Sequence, residues 1–203
     1  MKKTYFYVVL LIFLFFLNST LWAQKGIGFK GGINISKNHV SGGNDGISPI
    51  VGGNIGVLGY MSFTGYLKGQ IELQYSLKGY KVENAFEDEF SSTDLKIMSH
   101  YLDVPILAKL YPFHSGLNFT LGPNLGFLLK RKILFSEKKF DNQERSKNQI
   151  FDIGINFGCG YEMKNGLFLD LRYIWGLSST YRELTDFQNR TFQFSVGYNF
   201  YVE

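Results

Sequence analysis

Six ionisable residues, Lys30, Glu72, Asp103, Lys109, Asp170 and Arg172, sit in stretches otherwise rich in apolar and small residues. Three are basic and three acidic, so they can neutralise one another. A charge withdrawn from water needs a partner of opposite sign. Such a set either forms a structural network of ion pairs or lines a path for protons or ions. The structural network is the expectation, because the enclosure inferred below leaves little room for a path. The histidines His39, His100 and His114 are scattered and have no metal-ligand spacing. His100 beside Ser99, or His39 near Ser36, has the residue types of a lipid-modifying enzyme, but no spacing supports that chemistry. Gly26–Gly31 reads GIGFKG and matches the dinucleotide fingerprint, which needs a strand before it and a helix after it. Neither is expected here, so these glycines are read as relief of crowding. The single cysteine, Cys159, excludes an internal disulfide and fits a small buried hydrophobe. No catalytic residue, metal or cofactor is expected.

The elements that position these charges are strands. In Tyr66–Tyr80, Leu67, Gly69, Ile71, Leu73, Tyr75, Leu77 and Gly79 alternate with Lys68, Gln70, Glu72, Gln74, Ser76 and Lys78. Successive side chains leave a strand on opposite faces, so one face is apolar or small and the other wholly polar. The run exceeds a typical soluble strand and suffices to cross a bilayer, which takes about 9–11 tilted residues. Eight such runs follow the first two dozen residues: 26–36, 49–61, 66–80, 97–111, 117–132, 150–163, 167–178 and 191–202. Pro105 and Pro123 each remove a ladder donor, and a bulge or kink is expected at both. Tyr60, Tyr66, Tyr111 and Tyr161 at one end and Tyr80, Trp175 and Tyr181 at the other are expected at the membrane interfaces.

Connections alternate in length. Ser62–Gly65, Pro112–Gly116 and Lys164–Gly166 are short turns, with glycine supplying positive φ. The segments 37–48, 81–96, 133–149 and 179–190 are long and polar. Outer-membrane barrels show this asymmetry, with short periplasmic turns and longer outer loops. The second outer loop is acidic (Glu83, Glu87, Asp88, Glu89, Asp94) and the third basic (Arg131, Lys132, Lys138, Lys139, Arg145, Lys147), so the two are candidates to clasp over the rim or for the basic one to meet lipid phosphates. Met1–Ala23 reads as a secretion signal: Lys2 and Lys3, then the apolar run Val8–Leu17, then a cut before Gln24. Residues 24–203 form the barrel domain. Without Lys2 and Lys3, 19 basic residues face 17 acidic ones, a balance that argues against nucleic acid.

An eight-stranded soluble, lipocalin-like barrel would show the same alternation with the faces exchanged. The polar set decides between them. It is rich in Gly and Asn and holds few charges per strand, whereas a water-facing wall carries more Lys and Glu. An eight-stranded bore is just wide enough for side chains to fill. The mean hydropathy of −0.06 is no objection, since only alternate residues meet lipid. The expected fold is therefore all-β: an eight-stranded antiparallel up-and-down transmembrane β-barrel in the outer membrane of a Gram-negative cell.

At Tyr101–Pro112, YLDVPILAKLYP, the chain resembles the PorT-like outer-membrane β-barrel proteins, whose middle strand reads Tyr-Leu-acidic-aliphatic-Pro-Leu-Leu-Leu-Lys. Tyr101, Leu102, Asp103, Val104, Pro105, Ile106, Leu107 and Lys109 stand in that pattern, and Ala108 departs from it. FKGGINIS (Phe29–Ser36) and LGPNLGFLL (Leu121–Leu129) add to the resemblance. It implies an eight-stranded outer-membrane barrel, with a namesake role in secreting cell-surface proteases. The expected function is a non-enzymatic barrel with a filled bore, whose outer loops are an interaction surface accessory to secretion. Expected partners are outer-membrane lipid, the barrel-assembly machinery and a secretion or surface partner through 81–96 and 133–149, with the barrel itself a monomer. Glu203 follows Phe200 and Tyr201 at the end, where such barrels usually finish on an aromatic, so a weaker or shifted insertion signal is expected.

Overall fold

Alternation carries each stave past the bilayer. The computed structural model describes residues 25–40, 46–88, 91–113, 115–135, 139–140, 150–181 and 184–202. The proposed leader lies outside them. Nine strands follow in order: β1 (Lys25–Val40), β2 (Ile47–Thr64), β3 (Leu67–Asp88), β4 (Ser91–Leu110), β5 (Leu117–Phe135), β6 (Lys139–Phe140), β7 (Phe151–Glu162), β8 (Leu167–Tyr181) and β9 (Leu184–Val202). β6 is a two-residue stub on the outer end of β5. The other eight are the staves, all antiparallel to their neighbours, and no helix occurs among the described residues. Each pairs with the next, β1 pairs with β9 from Lys25↔Val202 to Val40↔Phe187, and β4 pairs with β5, so the sheet closes. Closure satisfies every edge, as backbone in hydrocarbon requires.

The outer connections are shorter than the sequence suggested, because strands fill much of them. β3 and β4 stay paired out to Asp88↔Ser91. Polar residues beyond the bilayer lose the apolar alternation, yet the ladder continues. At the opposite end, Thr64 Oγ1 accepts from Leu67 N at 3.0 Å, and Asn165 Oδ1 accepts from Leu167 N at 3.1 Å. Of the three short turns only the last uses positive φ, at Gly166 (φ 92°); Gly65 and Gly116 do not.

Neither Pro105 nor Pro123 produces the expected bulge. Register is the same on both sides of each; pairing merely lapses between Ile71↔Ile106 and Gln74↔Asp103, and between Pro105↔Asn124 and Ala108↔Leu121. Register shifts lie elsewhere, among them one between Pro49 and Asn54 on β2 and one at Leu129 on β5, the extra residue between His100↔Lys130 and Tyr101↔Leu128.

The apolar set faces out. Ile71, Leu73 and Leu169 are 51%, 49% and 38% exposed, and Phe29, Ile55, Ile106, Leu121, Ile153 and Phe194 share that face. Cys159 lies on it as well, half-exposed rather than buried in the protein, so lipid is its apolar surrounding. Among the expected interfacial aromatics, Tyr66, Tyr161 and Trp175 point outward, but Tyr60, Tyr80 and Tyr111 are buried inside. Their positions follow the inward register: Tyr60 continues Asn54 and Leu58, and Tyr80 continues Ser76 and Lys78.

Candidate functional site in the bore

The inward register delivers charge from every side of the ring. Lys30 comes from β1, Glu72 from β3, Asp103 and Lys109 from β4, and Asp170 and Arg172 from β8. All six are buried. Lys30 Nζ lies 2.7 Å from Glu72 Oε2, and Arg172 Nη2 donates to Glu72 Oε1 at 2.7 Å. Arg172 also pairs with Asp170, two residues away on the same face of β8. Gln70 Nε2 donates to Glu72 Oε1 at 2.5 Å. Lys109 Nζ stands 5.3 Å from the centroid of the Phe168 ring and within electrostatic reach of Asp170. Five of the six residues thus gather around one centre.

Asp103 belongs to a second centre. Lys78 Nζ donates to its Oδ1 at 3.0 Å and lies 2.9 Å from Oδ2, while Asn124 Nδ2 approaches Oδ1 at 3.4 Å. Lys78 also sits 4.9 Å from the Tyr101 ring centroid. Sequence reasoning left Lys78 out of the charge set, although its alternation with Glu72 on one strand gave the signal. A methyl group on Gly126 would come 2.8 Å from Asp103 Oδ1, so glycine is what leaves this carboxylate its place.

A third centre closes the end with the short turns. Lys68 Nζ donates to Glu162 at 3.1 and 3.2 Å, Tyr111 Oη donates to Glu162 Oε2 at 2.6 Å, and Asn199 Nδ2 donates to Oε1 at 3.0 Å. The Lys68 ammonium lies over the Tyr60 and Tyr111 rings, 5.4 and 4.8 Å from their centroids. Next to it, Leu58, Tyr60 and Phe168 pack as a buried apolar cluster. Gly28, within the GIGFKG run, faces Leu58 and Asn199; a Cβ there would lie 2.7 Å from Asn199 Oδ1. An amide ladder fills further space: Asn54 Nδ2 to Asn34 Oδ1 at 2.9 Å, Asn34 Nδ2 to Ser76 Oγ at 2.8 Å, and Ser195 Oγ to Asn54 Oδ1 at 3.1 Å. Near the outer end Asp152 accepts from Ser178 Oγ at 2.9 Å and from Asn189 Nδ2 at 2.7 Å.

Ser99 and His100 do not converge. Ser99 faces the bore and accepts from Arg131 Nε at 3.1 Å; His100 faces outward and meets Tyr75 Oη. Ser36 is buried and exchanges hydrogen bonds with the Gly79 backbone. His114 lies outside the described residues. The clasp expected between the acidic and basic loops falls largely outside the described residues. Asp94 pairs with Lys81 at 2.7 Å, Glu83 accepts from Ser48 Oγ at 2.7 Å, and Arg131 turns into the bore. The side chains at 84–93 and 135–149 lie outside the described residues.

A closed antiparallel ring with an apolar exterior and an ion-paired interior defines an outer-membrane β-barrel. The chain belongs to the outer membrane protein beta-barrel domain family, which matches residues 22–182; β9, beyond that stretch, closes the ring. The fold is similar to that of Neisserial surface protein A, at 14% identity and a TM-score of 0.54, covering 86% of this chain and 97% of that one. Ail of Yersinia pestis aligns at 16% identity and a TM-score of 0.48 over 89% of this chain and all of that one, and OprG of Pseudomonas aeruginosa at 11% and 0.43 over 89% and 98%. No curated protein matched the sequence. The protein resides in the cell outer membrane.

Proposed function

We propose that this is a PorT-like, non-enzymatic barrel with a closed bore, working through its outer hairpins as an accessory to protein secretion. The observation that carries the reading is the filled interior. The Lys30–Glu72–Arg172–Asp170 centre, the Lys78–Asp103 pair and the Leu58–Tyr60–Phe168 cluster occupy the cross-section with paired or packed side chains. In this reading the ion pairs are structural and the bore is closed to ions. The motif behind the resemblance supports it too, because Tyr101, Asp103, Leu107 and Lys109 all face this interior. In the same reading Met1–Ala23 is removed as a signal, the assembly machinery inserts residues 24–203, and the barrel acts as a monomer.

What remains for a partner is the outer end, where β3 and β4 extend as a paired ribbon out to Asp88↔Ser91. Shortening this ribbon by deleting residues 84–93 is expected to leave the barrel folded and inserted while reducing the release of secreted proteins. Mass spectrometry of the culture medium checks this, with planar-bilayer recordings of the purified protein run in parallel. Unchanged secretion refutes the accessory role; large, stable single-channel conductance refutes the closed bore.

A further inference from the structure

The central charge cluster does not balance. Lys30, Lys109 and Arg172 bring three cations to it, and Glu72 and Asp170 bring two carboxylates, which leaves a net charge of +1. The levels on either side do balance. Toward the short turns Lys68 meets Glu162. Toward the outer end two cations, Lys78 and Arg131, stand against two carboxylates, Asp103 and Asp152, around Tyr101. Among the described residues the excess therefore falls on the centre, where every member is buried. A charge withdrawn from water is strongly disfavoured without a counter-charge.

Unused hydrogen-bond donors gather at the same place. Arg172 gives Nε and Nη2 to Asp170 and Nη2 to Glu72, and its Nη1 is left buried without an acceptor among the described residues. Lys109 Nζ has the Phe168 ring beside it and Asp170, Arg172 and Glu72 within electrostatic reach, yet it forms no ion pair or hydrogen bond among the described residues. Register joins the two. Lys109 stands opposite Thr120, Thr120 opposite Gly158, and Gly158 opposite Arg172, one row across β4, β5, β7 and β8. Thr120 Oγ1 is buried and likewise has no partner among the described residues. Gly158 puts no side chain between Thr120 and Arg172; a Cβ there would come 3.1 Å from Arg172 Cγ. Asn156, two residues from Gly158 on the same face of β7, has neither amide atom bonded among the described residues. Lys109, Thr120, Asn156 and Arg172 are each at most 3% exposed.

We propose that Lys109, Thr120 and Arg172, completed by the Asn156 amide, hold one small inorganic anion of halide size inside the bore. Ammonium, guanidinium, hydroxyl and amide all donate to it, and hydrogen bonds between ionised partners are the strong ones. Loss of the Lys109 proton would remove the excess charge but leave Arg172 Nη1 and the Thr120 hydroxyl without acceptors. Water accepts from them but carries no charge. A halide does both. Its size follows from the enclosure, since an eight-stranded bore is just wide enough for side chains and excludes larger organic anions. The ion ties β4, β5, β7 and β8 together from within, and the site does not depend on what the outer hairpins bind.

Urea unfolding of the mature barrel tests this, with sodium chloride replacing sodium gluconate at constant ionic strength. Once the site is saturated in wild type, a tenfold rise in chloride is expected to shift the unfolding equilibrium about tenfold toward the folded barrel. Lys109→Met removes the excess charge together with a donor and is expected to make that equilibrium indifferent to chloride. Thr120→Val, which loses one neutral donor, is expected to keep a weaker response. Lys164→Gln removes a cation from an exposed turn and is expected to respond as wild type does. Heat-dependent gel mobility verifies that each variant is folded. Crystals of the wild-type barrel grown in sodium bromide, measured at the bromine absorption edge, are expected to show an anomalous peak among Lys109, Thr120 and Arg172. Equal chloride responses in wild type and Lys109→Met, or peaks at surface positions alone (an adventitious ion only), overturn the site. A wild type indifferent to chloride and without a peak in the bore would mean that Lys109 is neutral, and overturns it as well.

Discussion

Glu72→Ala is expected to destabilise the folded barrel by about 3–5 kcal/mol, the range for breaking a buried ion pair by removing one partner. Glu72 receives Lys30 through one oxygen and Arg172 through the other, with all three side chains at most 1% exposed. Its removal strands Lys30 and leaves Arg172 with Asp170 alone. Urea titration of the barrel refolded into lipid vesicles, followed by gel mobility, measures the shift in midpoint. The double variant Lys30→Met with Glu72→Met removes the stranded cation together with its partner. It is expected to recover most of the loss, because Arg172 retains Asp170. Coupling of this kind appears as non-additivity in the mutant cycle. Additive losses would mean that Lys30 and Glu72 do not share a centre.

The second large effect concerns the opposite face. Leu73 lies midway along the outward apolar run of β3 from Leu67 to Gly79, opposite Val57 of β2. Leu73→Arg is expected to destabilise by about 2–4 kcal/mol, since a cation on the lipid face is least tolerated near mid-plane. The same change at Leu110, the last residue of β4 before a turn, is expected to cost about 0–1 kcal/mol, because near the interface the guanidinium reaches water. The same unfolding assay compares the two. A soluble barrel has no mid-plane, so equal penalties would count against residence in the bilayer.

The alternation Leu67–Leu77 against Lys68–Lys78 made the faces, the strand count and the closure legible in the sequence. Strand ends were less so. Pairing persists beyond the bilayer in segments such as 81–88, where the sequence KVENAFED carries no apolar alternation and periodicity falls silent. Interior aromatics were misplaced for a related reason. Tyr60, Tyr80 and Tyr111 have the chemistry of an interfacial belt, but register outranks residue type in a closed sheet. Within the charge set, the opposed signs of Lys30, Glu72, Asp170 and Arg172 were visible, while the assignment of Asp103 to Lys78 depended on the register of β4 against β3, which sets Asp103 opposite Gln74 and Ser99 opposite Lys78. The Leu129 bulge left no trace in composition. It exchanges the destinations of Lys130 and Arg131, and only the pairing with β4 reveals it.

Nitroxide accessibility on β3 probes the orientation of the wall most directly. In a Cys159→Ser background, spin labels introduced at Leu73→Cys and, separately, at Ser76→Cys would be compared in lipid vesicles for collision with dissolved oxygen, which concentrates among acyl chains, and with a water-soluble nickel chelate. The expected result is strong oxygen exposure at Leu73 and shielding from both reagents at Ser76. Oxygen exposure at Ser76 with shielding at Leu73 would turn the barrel inside out and contradict the account.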